Sequence, residues 1–367
     1  MHYAASTVPI MRENTVLRWD PGSGEEPKSM ELDAFGMRVS LQPEDHLWLM
    51  MGATNAAVAS GLFRQGVIVH QLSNSRAMPV VRASHNGTSE KGAANGARIK
   101  ISAADVFGVA STNPDLFYPV HEKQAEILGI ISSWNQVTDS METRKAYANL
   151  VRSRLQQEAV VTGFVKNQQI ADSKQLAALI DAEVGKDPAD ESMRLFLKRE
   201  AQAIRHLDKA AKDSGLYRQV FAPIHGMGPR IAARFISAIE RIERFATARD
   251  LSNFAGMLPR GKDGKLPSKK NSKSSGMPLS RSALLNNACY MFQEQMFGYG
   301  AHTDLGQMMH GQIQQTCPCN TEMRKSDKEL RSRHSEAVRK ARISTTRHLL
   351  EQIIWPGWRS YMGLNAS

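Results

Sequence analysis

Ala222-Pro223-Ile224-His225-Gly226-Met227-Gly228-Pro229-Arg230-Ile231-Ala232-Ala233-Arg234 is the run on which the reading of this chain turns. An apolar residue, a Gly-x-Gly pair and an Ala-rich helix start make the core of a helix-hairpin-helix. Glycine tolerates positive φ, so Gly226 and Gly228 are expected to bend the chain. The unsatisfied N–H groups at the start of the following helix can then face a phosphate, with Arg230 beside them. Such a turn reads no base, so it predicts binding to a nucleic-acid backbone and not to a sequence.

The 367 residues give room for two or three domains and a large core. A formal net charge of +11 favours an anionic partner, nucleic acid before a membrane surface, over the alternative of a generically basic soluble protein. No run of about 18 apolar residues occurs, so no membrane span is expected. Met1 to Asn14 lacks a basic segment followed by an apolar core, so no secretory signal is visible and a cytoplasmic location is expected. Three cysteines agree with a reducing compartment. Cys317-Pro318-Cys319 has His310 upstream, but its spacing fits no common zinc template; two buried or idle thiols are the preferred reading.

Residues 1–120 read as a mixed α/β domain. Thr15–Trp19 reads as a strand, Pro21-Gly22-Ser23-Gly24 as a turn, and Met37–Leu41 as the strand pairing back. His46–Met51 and Val67–Leu72 read as buried strands on either side of a helix at Asn55–Gln65. Ser84–Gly96 reads as a loop and Ser102–Ala110 as a short helix, with Asn113-Pro114 and Tyr118-Pro119 marking an extended exit. Over residues 121–215 Leu128, Ile131, Trp134 and Met141 recur at helical steps, and Leu150, Val151 and Leu155 prolong the stripe. Leu176–Val184 and Ser192–Ser214 add helices, separated by Gly185-Lys186-Asp187-Pro188. Long polar helices with apolar seams predict an antiparallel coiled-coil arm, and the seam reads as core rather than as a cofactor box. Residues 216–300 hold the hairpin domain. Residues 301–367 form a basic helical tail, in which Leu349–Trp355 docks on the core and Pro356 ends the helix. No internal repeat occurs.

Between Pro259 and Ser282 lie Arg260, Lys262, Lys265, Lys269, Lys270, Lys273 and Arg281 against one acid, Asp263. The functional reading is a phosphate-contacting loop; the plain one is a solvated, disordered loop. Both hold for a loop that orders on binding. Arg324–Arg347 is a second basic stretch, either a solvated helix face or one that lies along a nucleic-acid backbone.

The segment Phe221–Ala288 resembles the C-terminal domain of the DEDD-type insertion-sequence transposases and pilin-gene invertases, some of which are guided by a bridge RNA. The family pattern Pro-Gly-Ile-Gly, Ala, Arg-Phe, Leu, Gly-Leu-x-Pro is met here by Ile224-His225-Gly226-Met227-Gly228, Ala232, Arg244-Phe245, Leu251 and Gly256-Met257-Leu258-Pro259. Its later Gly-Asn-x-x-Leu-Arg-x-x-Leu is met by Gly276-Met277-Pro278-Leu279-Ser280-Arg281-Ser282-Ala283-Leu284. Leu49–Val69 resembles the family's strand, Glu-Ala-Thr-Gly turn, helix and next strand. Ser102–Ala110 with Asn113-Pro114 resembles its Asp-x-x-Asp-Ala helix. The resemblance implies an RNase-H-like (RuvC-like) N-terminal domain, a coiled-coil arm, and a mainly α C-terminal domain with a helix-hairpin-helix. It also implies DNA as partner, a structured guide RNA in some members, and a homo-oligomer, dimer or tetramer.

Phosphodiester cleavage in that family uses two divalent ions, magnesium here, held by four acids. The matching positions in this chain are Ala4 or Ala5, Gly52, Ser102 and Asp105, so Asp105 alone is a candidate catalytic residue and metal ligand. Its plain reading is an acid at a helix N-terminus. The family's nucleophilic serine follows Gly-Leu-x-Pro in a Ser-Gly pair; Asp263-Gly264 stands there, leaving Ser275-Gly276 as a second candidate. Three readings follow. The first is a transposase-family DNA-binding protein with cleavage weakened or lost. The second is an active recombinase whose acids lie elsewhere. The third is a non-catalytic helix-hairpin-helix accessory or regulatory protein.

Overall fold

Burial is continuous along His2–Ala5 (β1) and His46–Met50 (β4) after the first residue of each, and those two strands run parallel at the centre of a six-stranded sheet. The computed structural model describes residues 1–5, 15–31, 41–85, 101–166, 173–257, 282–299, 302–319 and 321–364. Thr15–Trp19 (β2) lies antiparallel to β1, and Lys28–Glu31 (β3) antiparallel to β2. Ile68–Leu72 (β5) runs parallel to β4, and Phe117–Pro119 (β6) closes the far edge antiparallel to β5. The sheet order is therefore β3-β2-β1-β4-β5-β6. Ala53–Arg64 (α1) carries the chain from β4 to β5, as a parallel pair requires. The sequence assigns the hairpin partner of β2 to Met37–Leu41, of which residues 37–40 lie outside the described residues; the observed pairing falls on Lys28–Glu31. The Asp20–Ser23 turn is tighter than that assignment assumed: Gly22 and Ser23 already donate back to Asp20.

One face of the sheet buries Ala4, Trp48, Met50 and Leu72 against Ala77 and Val81 of Asn74–His85 (α2) and Val106 and Val109 of Ala103–Thr112 (α3). The pattern-based reading missed α2, because Pro79 sits inside it. The extended exit expected after Asn113 is a short 3-10 turn, Pro114–Leu116, followed by β6.

On the same face, near the starts of β1 and β4, three histidines stack. The His2 and His46 rings lie 4.3 Å apart and nearly parallel, and His70 stacks on Trp48 at 4.0 Å. His46 Nδ1 and His70 Nε2 are 3.0 Å apart, so one carries the proton and the other accepts it. Trp48 Nε1 donates to His2 Nδ1 at 3.2 Å. Rings stacked in this way present faces rather than converging lone pairs, so the cluster holds no common ligand. Burial first, then His46, pushes His2 and His70 down to about 4, against the small opposing pull of Asp20 and Asp45 on His2.

Glu122–Lys166 (α4) is a single 45-residue helix. The chain groups into one compact unit of Met1–Ser132 with Ser214–Ser367 and a second of Ser133–Asp213. Within the second unit, Ser173–Val184 (α5) and Glu191–Asp213 (α6) accompany the latter part of α4. Arg144 pairs with Glu200, and Tyr147 donates to the Asp190 carboxylate at 3.0–3.1 Å. Val151 packs with Val184 and Met193. Along α4, Arg144, Tyr147 and Val151 meet Glu200, Phe196 and Met193 of α6 in turn, so the two helices run antiparallel.

The rest of the first unit is helical: Pro229–Ile239 (α7), Ala248–Phe254 (α8), Ala283–Tyr299 (α9), Asp304–Thr316 (α10), Thr321–Ser326 (α11), Lys328–His348 (α12) and Trp355–Met362 (α13). Pro356 does not end the tail helix. A π-helical turn, Leu349–Ile354, carries right-handed helical backbone on into α13, and the proline lies in the first turn of that helix. Trp358 of α13 is buried against Phe221.

A buried arginine ties this helical part to the sheet. Glu240 adopts φ 59°, a left-handed turn at the end of α7 that is costly for a residue with a Cβ. The turn sends Arg241 inward, where it is 1% exposed. Its guanidinium donates to Gln71 Oε1 at 3.2 Å and to the Pro119 carbonyl at 3.1 Å, and Glu243 Oε1 lies 3.7 Å away. Burial lowers Arg241 to about 10, while Glu243 and Tyr118 hold it up, so it stays charged at neutral pH.

Two outcomes follow for stability. Arg241→Met leaves Gln71, Pro119 and Glu243 without their buried donor, and is expected to cost roughly 3 kcal/mol or more, read from the midpoint of urea unfolding. The histidines bind protons more weakly in the folded chain than in the unfolded one. Stability is therefore present above pH 6.5 and lost as the pH falls towards about 4, the value for folded His2 and His70. Discounted for partial exposure, His70 contributes on the order of 1–2 kcal/mol to this loss. Thermal melts across that range should steepen in the parent and flatten in His70→Gln.

Candidate nucleic-acid interface

The Gly226–Gly228 turn is built from both sides. Tyr217–Phe221 forms a π-helical turn, after which Ile224 N–H bonds to Phe221 O and Met227 N–H to Ile224 O, each at 3.0 Å. Ile224 and Met227 are buried, so the turn is pinned by its apolar residues while His225 and Gly228 face solvent. Helix α7 then starts with Pro229 in its first turn. Ile231 and Ala232 both donate to Gly228 O at 3.0 Å. Arg230 is exposed on the first turn of α7.

The two glycines serve different purposes. Gly226 has φ 79°, and a Cβ there would approach Met296 Cε to 2.7 Å. The positive φ is what calls for glycine there, since the Met296 methyl ends a flexible side chain that could shift. Gly228 has φ −65° and ψ 165°, ordinary extended backbone, and a Cβ there would meet nothing within 4 Å. The expectation that both bend the chain through positive φ is thus corrected: Gly226 alone does so. Gly228 leaves an open approach to the backbone at the start of α7.

The apolar face of α7, Ala232, Ala233, Phe235, Ile236 and Ile239, is buried, and the helix packs on α9. Arg234 crosses between the two helices to Asn287 Oδ1 at 2.9 Å. The motif residues further on are scaffold. Arg244 lies over the rings of Phe245 and Phe254, and Leu251 is buried. A Thr247–Asp250 capping box starts α8, and Gly256 ends it with φ 76°.

Arg260, Lys262, Lys265, Lys269, Lys270, Lys273, Ser275 and Arg281 lie outside the described residues. The residues on either side of them are fixed to one another. Ser282 N–H bonds to Phe254 O at 2.8 Å, Asn286 Nδ2 to Ala255 O at 3.0 Å, and Arg347 grips Met257 O at 2.8 Å. The basic segment therefore leaves and rejoins the fold at one place, beside the first residue of α9. Met296, which braces the hairpin turn, lies thirteen residues further along that helix, or ~20 Å at 1.5 Å per residue. One helix thus spaces the turn from the basic segment.

In the Arg324–Arg347 stretch several cations are engaged internally. Arg342 bonds to Glu294 at 2.6 Å, Lys340 pairs with Glu336, and Arg347 holds Met257 O. Arg331, Arg333 and Arg339 are exposed on α12.

At the expected acid positions, Ala4 is fully buried in β1 and paired with Trp48, and Gly52 caps α1 beyond β4. Ser102 is the N-cap of α3, and its hydroxyl accepts from Asp105 N–H. Asp105 Oδ2 in return accepts from Ser102 N–H and Oγ, both at 2.7 Å. Its carboxylate works as half of a capping box. Among the described residues the grouping with metal-ligand spacing is a different one, Cys317, Cys319 and His334. His310, the histidine upstream of the cysteines, instead stacks on Phe297. Nor are these two cysteines idle thiols: the structure joins Cys317 to Cys319 in a disulfide, leaving Cys289 free and buried. His334 was not legible beforehand, since it is fifteen residues from Cys319 and only the packing of α10 on α12 brings it back.

Residues 218–296 match the Transposase IS116/IS110/IS902 family. The matched segment is of insertion-sequence transposase type. It runs from the π-helical turn before the hairpin to the Met296 that braces it, and so covers α7, α8 and most of α9. No curated protein matches the chain. Among the described residues no helix is long and apolar enough to cross a membrane.

Separating the glycines is a direct test of the turn. Gly226→Val should destabilise the protein by ~2 kcal/mol or more through strained backbone and the Met296 clash, seen as a lowered unfolding midpoint. Gly228→Val should leave that midpoint within about 0.5 kcal/mol of the parent.

Proposed function

We propose that this chain is a DNA-binding protein of insertion-sequence transposase type that grips the sugar-phosphate backbone through a helix-hairpin-helix, with strand cleavage weakened or lost. The observation that carries the reading is the coincidence of the transposase match at residues 218–296 with a positive-φ glycine turn that opens onto an exposed helix start. An uncrowded backbone at Gly228, the partial positive charge of the α7 N-terminus and the Arg230 side chain together suit a phosphate oxygen. The basic residues between 258 and 281 would add contacts along the same strand, or along a guide RNA if one takes part.

The sheet supports an RNase-H-like reading of residues 1–120: an antiparallel β1-β2-β3 meander is extended by parallel β4 and β5 on the other side of β1. The antiparallel helices of Ser133–Asp213 support the coiled-coil arm, and through it a dimer or tetramer. The residues at the expected acid positions do not fit a two-magnesium site. A methyl group and a glycine stand at two of them, a serine cap at the third, and the Asp105 carboxylate is committed to its helix start.

The measurement is DNA binding by fluorescence anisotropy across a salt series. Replacing Lys269, Lys270 and Lys273 by Ala should reduce the slope of log affinity against log salt by up to about three units, at roughly 0.9 per phosphate contact. An unchanged slope removes those lysines from the interface. Gly228→Val should weaken binding without unfolding the protein; unchanged affinity removes the turn. Nicking of DNA carrying the flanks of this gene, dependent on magnesium, would instead favour an active recombinase.

A further inference from the structure

We infer that Cys317, Cys319 and His334 form a zinc site when the two cysteines are reduced, with one coordination position left for solvent or for a ligand from outside the chain. Their ligand atoms all lie within 4.8 Å of one another. Cys317 caps the C-terminus of α10, its N–H bonding to Ile313 O, and Cys319 N–H turns back onto Cys317 O at 2.8 Å. That tight turn brings both sulfurs to the same side. His334 comes from the second turn of α12 and sets its Nδ1 3.7 Å from Cys319 Sγ. Zinc bonds of about 2.3 Å to sulfur and 2.0–2.1 Å to nitrogen, set at a tetrahedral angle, separate the two ligand atoms by ~3.6 Å. The observed spacing already meets that requirement.

The disulfide between Cys317 and Cys319 competes for the same two sulfurs, since a metal takes thiolates and not a disulfide. The two states exclude each other, and the cation belongs to the dithiol form. Charge points the same way. The Arg324 guanidinium lies 3.4 Å from Cys319 O, 3.2 Å from His334 Nδ1 and 3.0 Å from His334 Nε2, so a divalent ion there would sit beside a like charge. Two thiolates cancel the ion's charge. Two sulfurs and an imidazole select zinc or cobalt and reject magnesium, so the site is chemically separate from any ion used for strand cleavage. Once filled, it would staple the end of α10 to the middle of α12.

The test uses the full-length protein reduced with a phosphine and titrated with Co2+ as a spectroscopic probe. The expected result is one ion per chain, with a sulfur-to-cobalt charge-transfer band and the intense visible bands of tetrahedral geometry, both erased by Zn2+. His334→Ala should weaken binding by at least 10–100-fold, as loss of a ligand exceeds loss of the group that orients one. Cys319→Ser should abolish the charge-transfer change, and Cys289→Ser should leave it intact. His334 is half-exposed, so its variant tests the site even where a cysteine variant misfolds. The proposal is overturned by reduced protein that binds no stoichiometric ion, by His334→Ala binding as tightly as the parent, or by equal binding to the oxidised protein.

Discussion

A single buried guanidinium holds the front sheet and the transposase segment together. Arg241 reaches from the end of α7 to Gln71 on β5 and the carbonyl of Pro119 on β6. Taking a charge out of water is expensive, so such a group persists only where its partners are complete. Here they come from two strands and from Glu243 in the next turn. The left-handed Glu240 that aims it is strained backbone held by its surroundings, and Gln124 of α4 donates to the Glu240 carbonyl. The sequence between 221 and 241 thus encodes two devices on one helix: a turn that offers backbone to solvent at the start of α7, and an anchor into the sheet at its end.

The hairpin illustrates how similar residues meet different demands. Gly226 is required by the sign of its φ, whereas Gly228 is not. Its lack of a side chain matters only if something approaches from outside, which is the sense in which the turn resembles a phosphate-binding device. Around it the family's other motif residues, Ala232, Arg244, Phe245, Leu251 and Gly256, hold helices in register and end them. They make the segment recognisable by preserving its shape rather than by doing chemistry.

Much of this was legible in the sequence because it rests on local rules. The strands at Thr15–Trp19, His46–Met50 and Ile68–Leu72 announce themselves by apolar runs between turns, and the long helices by their periodicity. What escaped notice depends on distant partners. Helix α2 was hidden by Pro79, a poor local bet that packing on the sheet overrides. The partner of β2 was misassigned because hairpin length is set by the Asp20 turn. Arg241 looks like any surface cation until the strands that receive it are in place. His334 joins the cysteines only through the packing of α10 on α12. The acid positions were readable as substitutions, and the structure adds what Asp105 does instead: it closes a helix end.

Phe254 and Ala255 on one side, and Ser282 and Asn286 on the other, meet through main-chain and amide hydrogen bonds. Ring closure for the stretch between them is therefore met by the helices themselves, and lengthening it adds little, because the entropic cost grows only with the logarithm of its size. Evolution can lengthen, shorten or recharge that stretch without refitting α8 to α9. A protein engineer would find there a natural port for grafted segments.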